Sequence, residues 1–251
     1  MSVLVTGASS GLGKYLKEYF HAEAFDRNAP MTMPETPYDA IIHCAFNLSR
    51  DIPAEQEAQY MEDTLGLTQR LLALPHQRFV FISTIDVYPP QNKTRNEADE
   101  IHSEQIEGRY GQTKFLAELL VNMQGENPLI LRPSAMLGPY IRKNSLLKIL
   151  SGENPTLTLA SDSIFNYVLH EDIAKFIDSM LDTSVSGTFN IAASTNVMFG
   201  EICDRFQKPA QFGNYRYNCG SIDNRKAASL YDGFNHSSID NVERFISGIK
   251  V

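Results

Sequence analysis

Tyr110 and Lys114 are the residues whose types and spacing most directly suggest chemistry. They bracket Tyr-Gly-Gln-Thr-Lys at the start of a run, 110–123, that reads as a helix with Phe115, Leu116, Leu119 and Leu120 along its apolar side. Residues four apart share a helix face, so the lysine ammonium can sit near the phenol. A phenol titrates at about pH 10 unaided, and a close cation favours its ionised form. The pair is suited to take a proton from an alcohol, or return one to a ketone, near neutral pH. Just upstream, Arg78-Phe-Val-Phe-Ile-Ser-Thr84 reads as a buried strand ending in two hydroxyls. Hydroxyls at the carboxyl end of a parallel strand face the crevice where ligands bind.

A second constellation opens the chain. Residues 3–5 form a short buried strand, 6–13 a glycine-rich turn, and Leu12, Leu16, Tyr19 and Phe20 follow with helical spacing. Gly7, Gly11 and Gly13 lack a Cβ, so backbone can approach an anion closely, and a helix start offers it unpaired N–H groups. Strand, turn and helix in that order make Gly7, Ser9, Ser10, Gly11, Leu12 and Gly13 a candidate cradle for a dinucleotide pyrophosphate. The plain alternative is an ordinary tight turn. Asp26 lies about 20 residues beyond the opening of the turn, where such a fold offers a carboxylate to the ribose hydroxyls. That carboxylate favours NAD, whereas the adjacent Arg27 could pair with the 2′-phosphate of NADP. Lys114 can donate to the ribose of the nicotinamide half.

These groups need a scaffold. Buried strands are expected at 38–46, 78–84 and 128–132, alternating with helices at 54–74 and 110–123. That alternation indicates a mainly parallel sheet covered on both faces. Residues 27–37, with Pro30, Pro34 and Pro37, are too few for a crossover and another strand. The usual third strand is therefore expected to be missing or reduced, leaving the adenine side partly open or covered by Met31 and Met33. His43 reads as a packed strand residue. Beyond Pro133 the rhythm loosens: 146–150 and 170–181 look helical, 165–169 extended and 188–192 a short strand, and the tail from Phe199 mixes short helices with loops.

The 251 residues can bury a substantial core as one domain, or one domain with a lobe. A net charge of −8 without a basic block argues against nucleic acid or an anionic membrane surface as partner. No apolar run approaches the roughly 18 residues of a membrane span. The first strand begins at once, so no signal peptide is expected. Cys44, Cys203 and Cys219 are few and widely spaced, which suggests free thiols, no metal cluster and a cytoplasmic location.

Taken in order, several stretches resemble the motifs of short-chain dehydrogenase/reductases, in the extended branch of nucleotide-sugar epimerases, dehydratases and ketoreductases. They are residues 6–13, 41–45, 79–88, 110–114, 131–139, 166–174 and 187–192. The resemblance implies an α/β fold of Rossmann type, a doubly wound and mainly parallel sheet. Its dinucleotide-binding core would span 1–134 with returning segments at 164–193. A small substrate-capping lobe would come from 135–163 and 194–251. Tyr110, Lys114 and Thr84 take catalytic roles by resemblance, Thr84 hydrogen-bonding the reacting oxygen, with Ser83 the weaker candidate. Asp86 falls where relatives place a substrate-facing side chain; it is either a second acid or base or a solvated loop carboxylate. Cofactor contacts extend to Ala45, and substrate contacts to Thr84, Asp86, Ser134 and Asn166.

Departures refine the expectation. Ile85 stands where dehydratases carry an acid, which ranks dehydration below epimerisation or ketoreduction. Ala135 replaces a common Asn and Asn166 a common Arg. The resemblance thus implies an NAD- or NADP-dependent oxidoreductase or epimerase of a nucleotide sugar, and a homodimer built on the helices at 54–74 and 110–123. One alternative, motivated by Ala135 and Asn166, is a reductase of a small non-sugar ketone or aldehyde. Another is a non-enzymatic NAD(P)-sensing protein, which has no need of Tyr110, Lys114 and Thr84 together.

Overall fold

The computed structural model describes residues 1–25, 33–49, 52–90, 93–125 and 127–248. The expected ribose contacts at Asp26 and Arg27, and the cover at Met31, lie outside the described residues. Met33 is exposed. The chain opens with β1 (Val3–Thr6), the glycine turn, α1 (Gly11–Tyr19) and the two-residue β2 (Glu23–Ala24), and continues into β3 (Ala40–His43). The helix expected over 54–74 is interrupted. A 3-10 turn leads into α2 (Glu57–Met61), a π turn spans Glu62–Gly66, and α3 (Leu67–Leu72) follows. Thr64 donates to the Tyr60 carbonyl and Thr68 to the Thr64 carbonyl, each at 2.8 Å. Such back-bonding loosens the ordinary ladder.

The chain then runs through β4 (Phe79–Ile82), α4 (Gly108–Gln124), β5 (Leu129–Pro133), β6 (Ala135–Leu137) and α5 (Ser145–Ser151). Next come β7 (Ile164–Phe165), β8 (Tyr167–Leu169), α6 (His170–Leu181) and β9 (Gly187–Ile191). The tail carries β10 (Val197–Met198), α7 (Phe199–Phe206), α8 (Arg225–Ala228) and α9 (Ser238–Gly248).

Six strands form one sheet in the order β2-β1-β3-β4-β5-β9, with every pair parallel. Alternate strand residues feed two cores. Val5, Ile42, Val80 and Leu131 meet Leu12 and Leu16 of α1 and Phe176 and Ile177 of α6. Leu4, Ile41, Phe79, Phe81 and Ile130 meet Leu67 and Leu71 of α3 and Ala117 and Val121 of α4. Strands covered on both faces account for their near-continuous apolar runs. Among the described residues the sheet ends at β2, in keeping with the short proline-bearing connection after it. A further apolar cluster, including Leu137, Ile149, Phe199, Ile202, Val242 and Phe245, lies beneath β6, β8, α5, α7 and α9. No helix among the described residues is long and apolar enough to cross a membrane.

The inward face of α4 is only in part the one its leucines suggest: Leu120 packs against the core. Gly111, Thr113, Lys114, Ala117, Glu118 and Val121 are buried, whereas Leu119 is 43% and Met123 80% exposed. Small residues on the inner face let the helix approach closely: a Cβ on Gly111 would stand 2.3 Å from the Asp86 carbonyl oxygen. The two charges on that face are buried because each has partners there.

Candidate active site

Ser83 and Thr84 follow the end of β4; both are buried, and neither is in the wall of the two cavities described below. Ser83 Oγ donates to Glu118 Oε1, so its proton is committed inward. Thr84 accepts the Asp86 N–H at 3.1 Å and caps the short turn Ile85–Val87. Asp86 and Tyr110 share the wall of a cavity of about 670 Å³ with Arg95, Arg216, Tyr217 and Cys219. Sequence reasoning missed those four. They sit in a polar loop and in the irregular tail, where no local periodicity marks them. The wall is joined across the chain: Arg95 N–H donates to the Ser221 carbonyl and Asp223 N–H to the Arg95 carbonyl, both at 2.9 Å. The Arg95 guanidinium also donates to the Cys219 carbonyl at 2.6 Å.

Lys114 follows one helical turn after Tyr110 and is only 2% exposed. Its Nζ donates to the Ile82 carbonyl at 2.6 Å and lies 4.0 Å from the Phe46 ring centroid and 4.7 Å from that of Phe81. Burial brings its pKa down to about 7, opposed by Cys44 and Glu118. The Tyr110 ring stands nearly perpendicular to that of Phe46, with centroids 5.9 Å apart.

The glycine turn lies across β3 from this cluster. Gly7 and Gly11 have positive φ, +70° and +56°. A Cβ on Gly7 would stand 2.9 Å from the Ala45 nitrogen, and one on Gly13 2.4 Å from the Gly7 carbonyl oxygen. One on Gly11 would meet nothing within 4 Å. Two of the glycines are thus needed for close packing, and the Cα of the third faces open space. Thr6 Oγ1 accepts N–H groups from Cys44 (3.1 Å) and Ala45 (2.9 Å), fixing Ala45 beside the turn. His43 is a packed residue: its ring bonds Thr6 at 2.8 Å and Thr68 at 3.0 Å. Burial, followed by the Lys114 charge, lowers its pKa to about 3. A strap crosses the helix start, where Tyr140 accepts the Gly11 N–H at 2.9 Å and Arg142 donates to Ser10 Oγ at 3.3 Å. A second cavity of about 450 Å³ lies here, walled by Phe46, Asn47, Leu48, Ser49 and Arg142. The open space at the Gly11 Cα and the backbone contact between Gly7 and Ala45 fit a dinucleotide, which Ser9, Ser10, Gly11, Leu12 and Ala45 would hold, although the Gly11 N–H is itself taken by Tyr140.

Ser134 and Asn166 are not brought to either cavity. Asn166 is 2% exposed and saturated. It accepts from the Ser134 hydroxyl and the Ala193 N–H at 2.8 Å, and donates to the Ala193 carbonyl at 3.1 Å and to Asn196 Oδ1 at 3.0 Å. An amide with all four positions used has nothing left for a substrate. The pair joins β6, β8 and the segment after β9.

Comparison with known proteins follows the same lines. The model of the "NAD dependent epimerase/dehydratase family" matches residues 3–192. No curated protein matches the chain in sequence. Among solved structures, dTDP-4-dehydrorhamnose reductase from Bacillus anthracis, in complex with NADP, aligns with a TM-score of 0.78 at 19% identity, covering 98% of this chain and 99% of that one. UDP-glucuronic acid 4-epimerase from Bacillus cereus, in complex with UDP-glucuronic acid and NAD, aligns at 0.73 and 18%, covering 97% and 99%. TunA, an NAD-dependent NDP-hexosamine 5,6-dehydratase, aligns at 0.76 and 14%, covering 98% and 97%. At these identities the likeness is one of fold.

Proposed function

The chain belongs to the NAD dependent epimerase/dehydratase family, and on that premise we propose that it is an epimerase or ketoreductase acting on a sugar carbon of a nucleotide sugar. One observation carries this: Tyr110 opens onto a substrate-sized cavity while Lys114, one turn on, is buried on the side of the glycine turn. The nicotinamide supplies reversible hydride exchange when bound. Tyr110 then moves the proton at its phenol oxygen, Lys114 favours the phenolate by its charge, and Thr84 holds the reacting oxygen. Asp86, in the same wall, serves as a second acid or base. Ile85, buried and apolar, offers no acid to expel a hydroxyl, which supports epimerisation or ketoreduction over dehydration. Arg95 lends the cavity a cation suited to a diphosphate.

The structural neighbours that act on UDP- and dTDP-sugars span nearly their whole length on this chain, which supports the substrate class. In the same proposal, residues 135–163 and 194–251 cap the substrate over a core of 1–134 and 164–193. The protein works as a cytoplasmic homodimer, for which exposed Met61, Leu119 and Met123 supply apolar surface. Thermal-shift screening of UDP-, GDP- and dTDP-sugars, with turnover assays of the wild type and Tyr110→Phe, tests the proposal. A nucleotide sugar should stabilise both proteins, with turnover confined to the wild type. Stabilisation by small hydrophobic ketones alone would replace the sugar with such a ketone. Turnover retained in Tyr110→Phe would overturn the assignment of the acid/base.

A further inference from the structure

The Lys114 ammonium has three supports, and they differ in kind. The Ile82 carbonyl belongs to the strand backbone, and Phe81 is fully buried in the core between α4 and the sheet. Phe46 is only half buried, lies just beyond β3 and forms part of the wall of the second cavity. Its ring lies between that cavity and an amine that is itself almost wholly covered. The same ring packs against Tyr110, which faces the larger cavity. One aromatic side chain thus touches both members of the pair and separates the ammonium from the crevice.

We propose that Phe46 is a positioning residue for Tyr110 and Lys114: its face holds the ammonium against the Ile82 carbonyl and keeps it dry, and its contact with the Tyr110 ring sets the phenol beside that charge. A cation over an aromatic face is attracted by the ring quadrupole, and the attraction grows when water is excluded. The ring therefore acts in two opposed ways, attracting the charge while denying it hydration. The other titratable groups around Lys114 are His43 and Cys44 of the β3 segment and Glu118 and Tyr110 of α4, and Glu118 is itself engaged by Arg132 of β5. Of these, Tyr110 is in ring contact with Phe46, and a substitution at Phe46 leaves the side chains of His43, Cys44 and Glu118 unchanged.

Three variants separate the two effects. Phe46→Leu keeps an apolar cover and removes the π face, so Lys114 should lose its proton at lower pH. Phe46→Ala lets water in, so Lys114 should titrate higher and become accessible. Phe46→Tyr keeps the face and should restore wild-type behaviour. Competitive acetylation from about pH 6 to about pH 10, read by peptide mass spectrometry, reports both the accessibility and the titration of this one amine. Below its midpoint the amine is mostly protonated, and moving that midpoint down by one on the pH scale raises the free-amine fraction about tenfold. Lys114 acetylation at saturating pH should rise at least about tenfold in Phe46→Ala and stay slow in Phe46→Leu, with midpoints moving in opposite directions. The pH–rate profile of kcat should follow the midpoints while KM for the sugar stays in place. Identical midpoints in all four proteins would overturn the inference, whatever the change in stability. The catalytic half rests on the function proposed above. The acetylation readout needs no turnover, so a failed substrate assignment leaves shifted midpoints intact, and unshifted midpoints with full turnover count against Phe46 alone.

Discussion

Arg132 of β5 and Glu118 of α4 form a multiply hydrogen-bonded ion pair sealed under the end of β4. Nη2 reaches Oε2 at 2.7 Å, Nε reaches Oε1 at 3.0 Å, and the side chains are 6% and 2% exposed. The guanidinium also donates to the Tyr88 hydroxyl at 2.9 Å, which donates to Asn190 Oδ1 of β9 at 2.7 Å. The helix that carries Tyr110 and Lys114 is thereby tied to two strands by charge as well as by packing. Removing one partner of a buried pair leaves the other uncompensated. Arg132→Met should therefore lower stability by about 3–5 kcal/mol in urea unfolding. Arg132→Met combined with Glu118→Leu should recover most of the loss. A double variant no more stable than the single one would mean that packing, rather than charge, holds α4.

Gly11 and Gly13 should respond differently to alanine. At Gly13 the new methyl meets the Gly7 carbonyl, and crowding of this kind costs about 1–3 kcal/mol. At Gly11 the methyl has room and the cost is the positive φ, about 1–2 kcal/mol, but in the proposed cradle it projects toward the cofactor. Calorimetry with NADH and NADPH should show the larger affinity loss in Gly11→Ala, and urea titration the larger stability loss in Gly13→Ala. The reverse ranking would place the dinucleotide elsewhere.

Acid should weaken the fold through His43. Its folded pKa of about 3 lies below the ordinary 6.5, so between those values the unfolded chain binds a proton that the folded chain refuses. Stability is lost as pH falls through that window. Lys114, held to about 7 against an ordinary 10.5, acts in the same sense at higher pH, with stability gained as pH rises between those values. Unfolding curves for His43→Gln and Lys114→Met should each lack the slope of the wild type in the corresponding window and keep it in the other.

Asn166→Ala should be costly to the fold and neutral to recognition. It strands the Ser134 hydroxyl and both the N–H and C=O of Ala193. Unpaired buried polar groups cost about 1–3 kcal/mol each. Substrate KM in the folded enzyme should be unchanged; a raised KM at wild-type stability would return Asn166 to the substrate site.

The parallel sheet was legible because each strand announces itself within a handful of residues, and the glycine turn because its requirements are local. The spacing of Tyr110 and Lys114 was legible for the same reason. The face of α4 was legible only in part. Leu116 and Leu119 look like the core side in a helical window as Leu120 does, and what buries Lys114 and Glu118 beside Leu120 is a carbonyl on β4 and a guanidinium on β5. Asn166 was legible only in part for the same reason: a polar residue at a motif position suggests a ligand, and its four intramolecular hydrogen bonds show only in the structure. Phe46 carried no signal at all, since its meaning depends on an amine that α4 brings up much later in the chain.

Arg95 is bonded to Cys219, 124 residues downstream, as well as to its backbone partners Ser221 and Asp223. The glycine turn and most of the sheet precede the far end of that seam in the chain, so on the function proposed above the dinucleotide half is synthesised before the sugar-selecting half is complete. A protease cut just ahead of the seam would have a matching signature, with coenzyme fluorescence still quenched on binding and all discrimination among sugars gone.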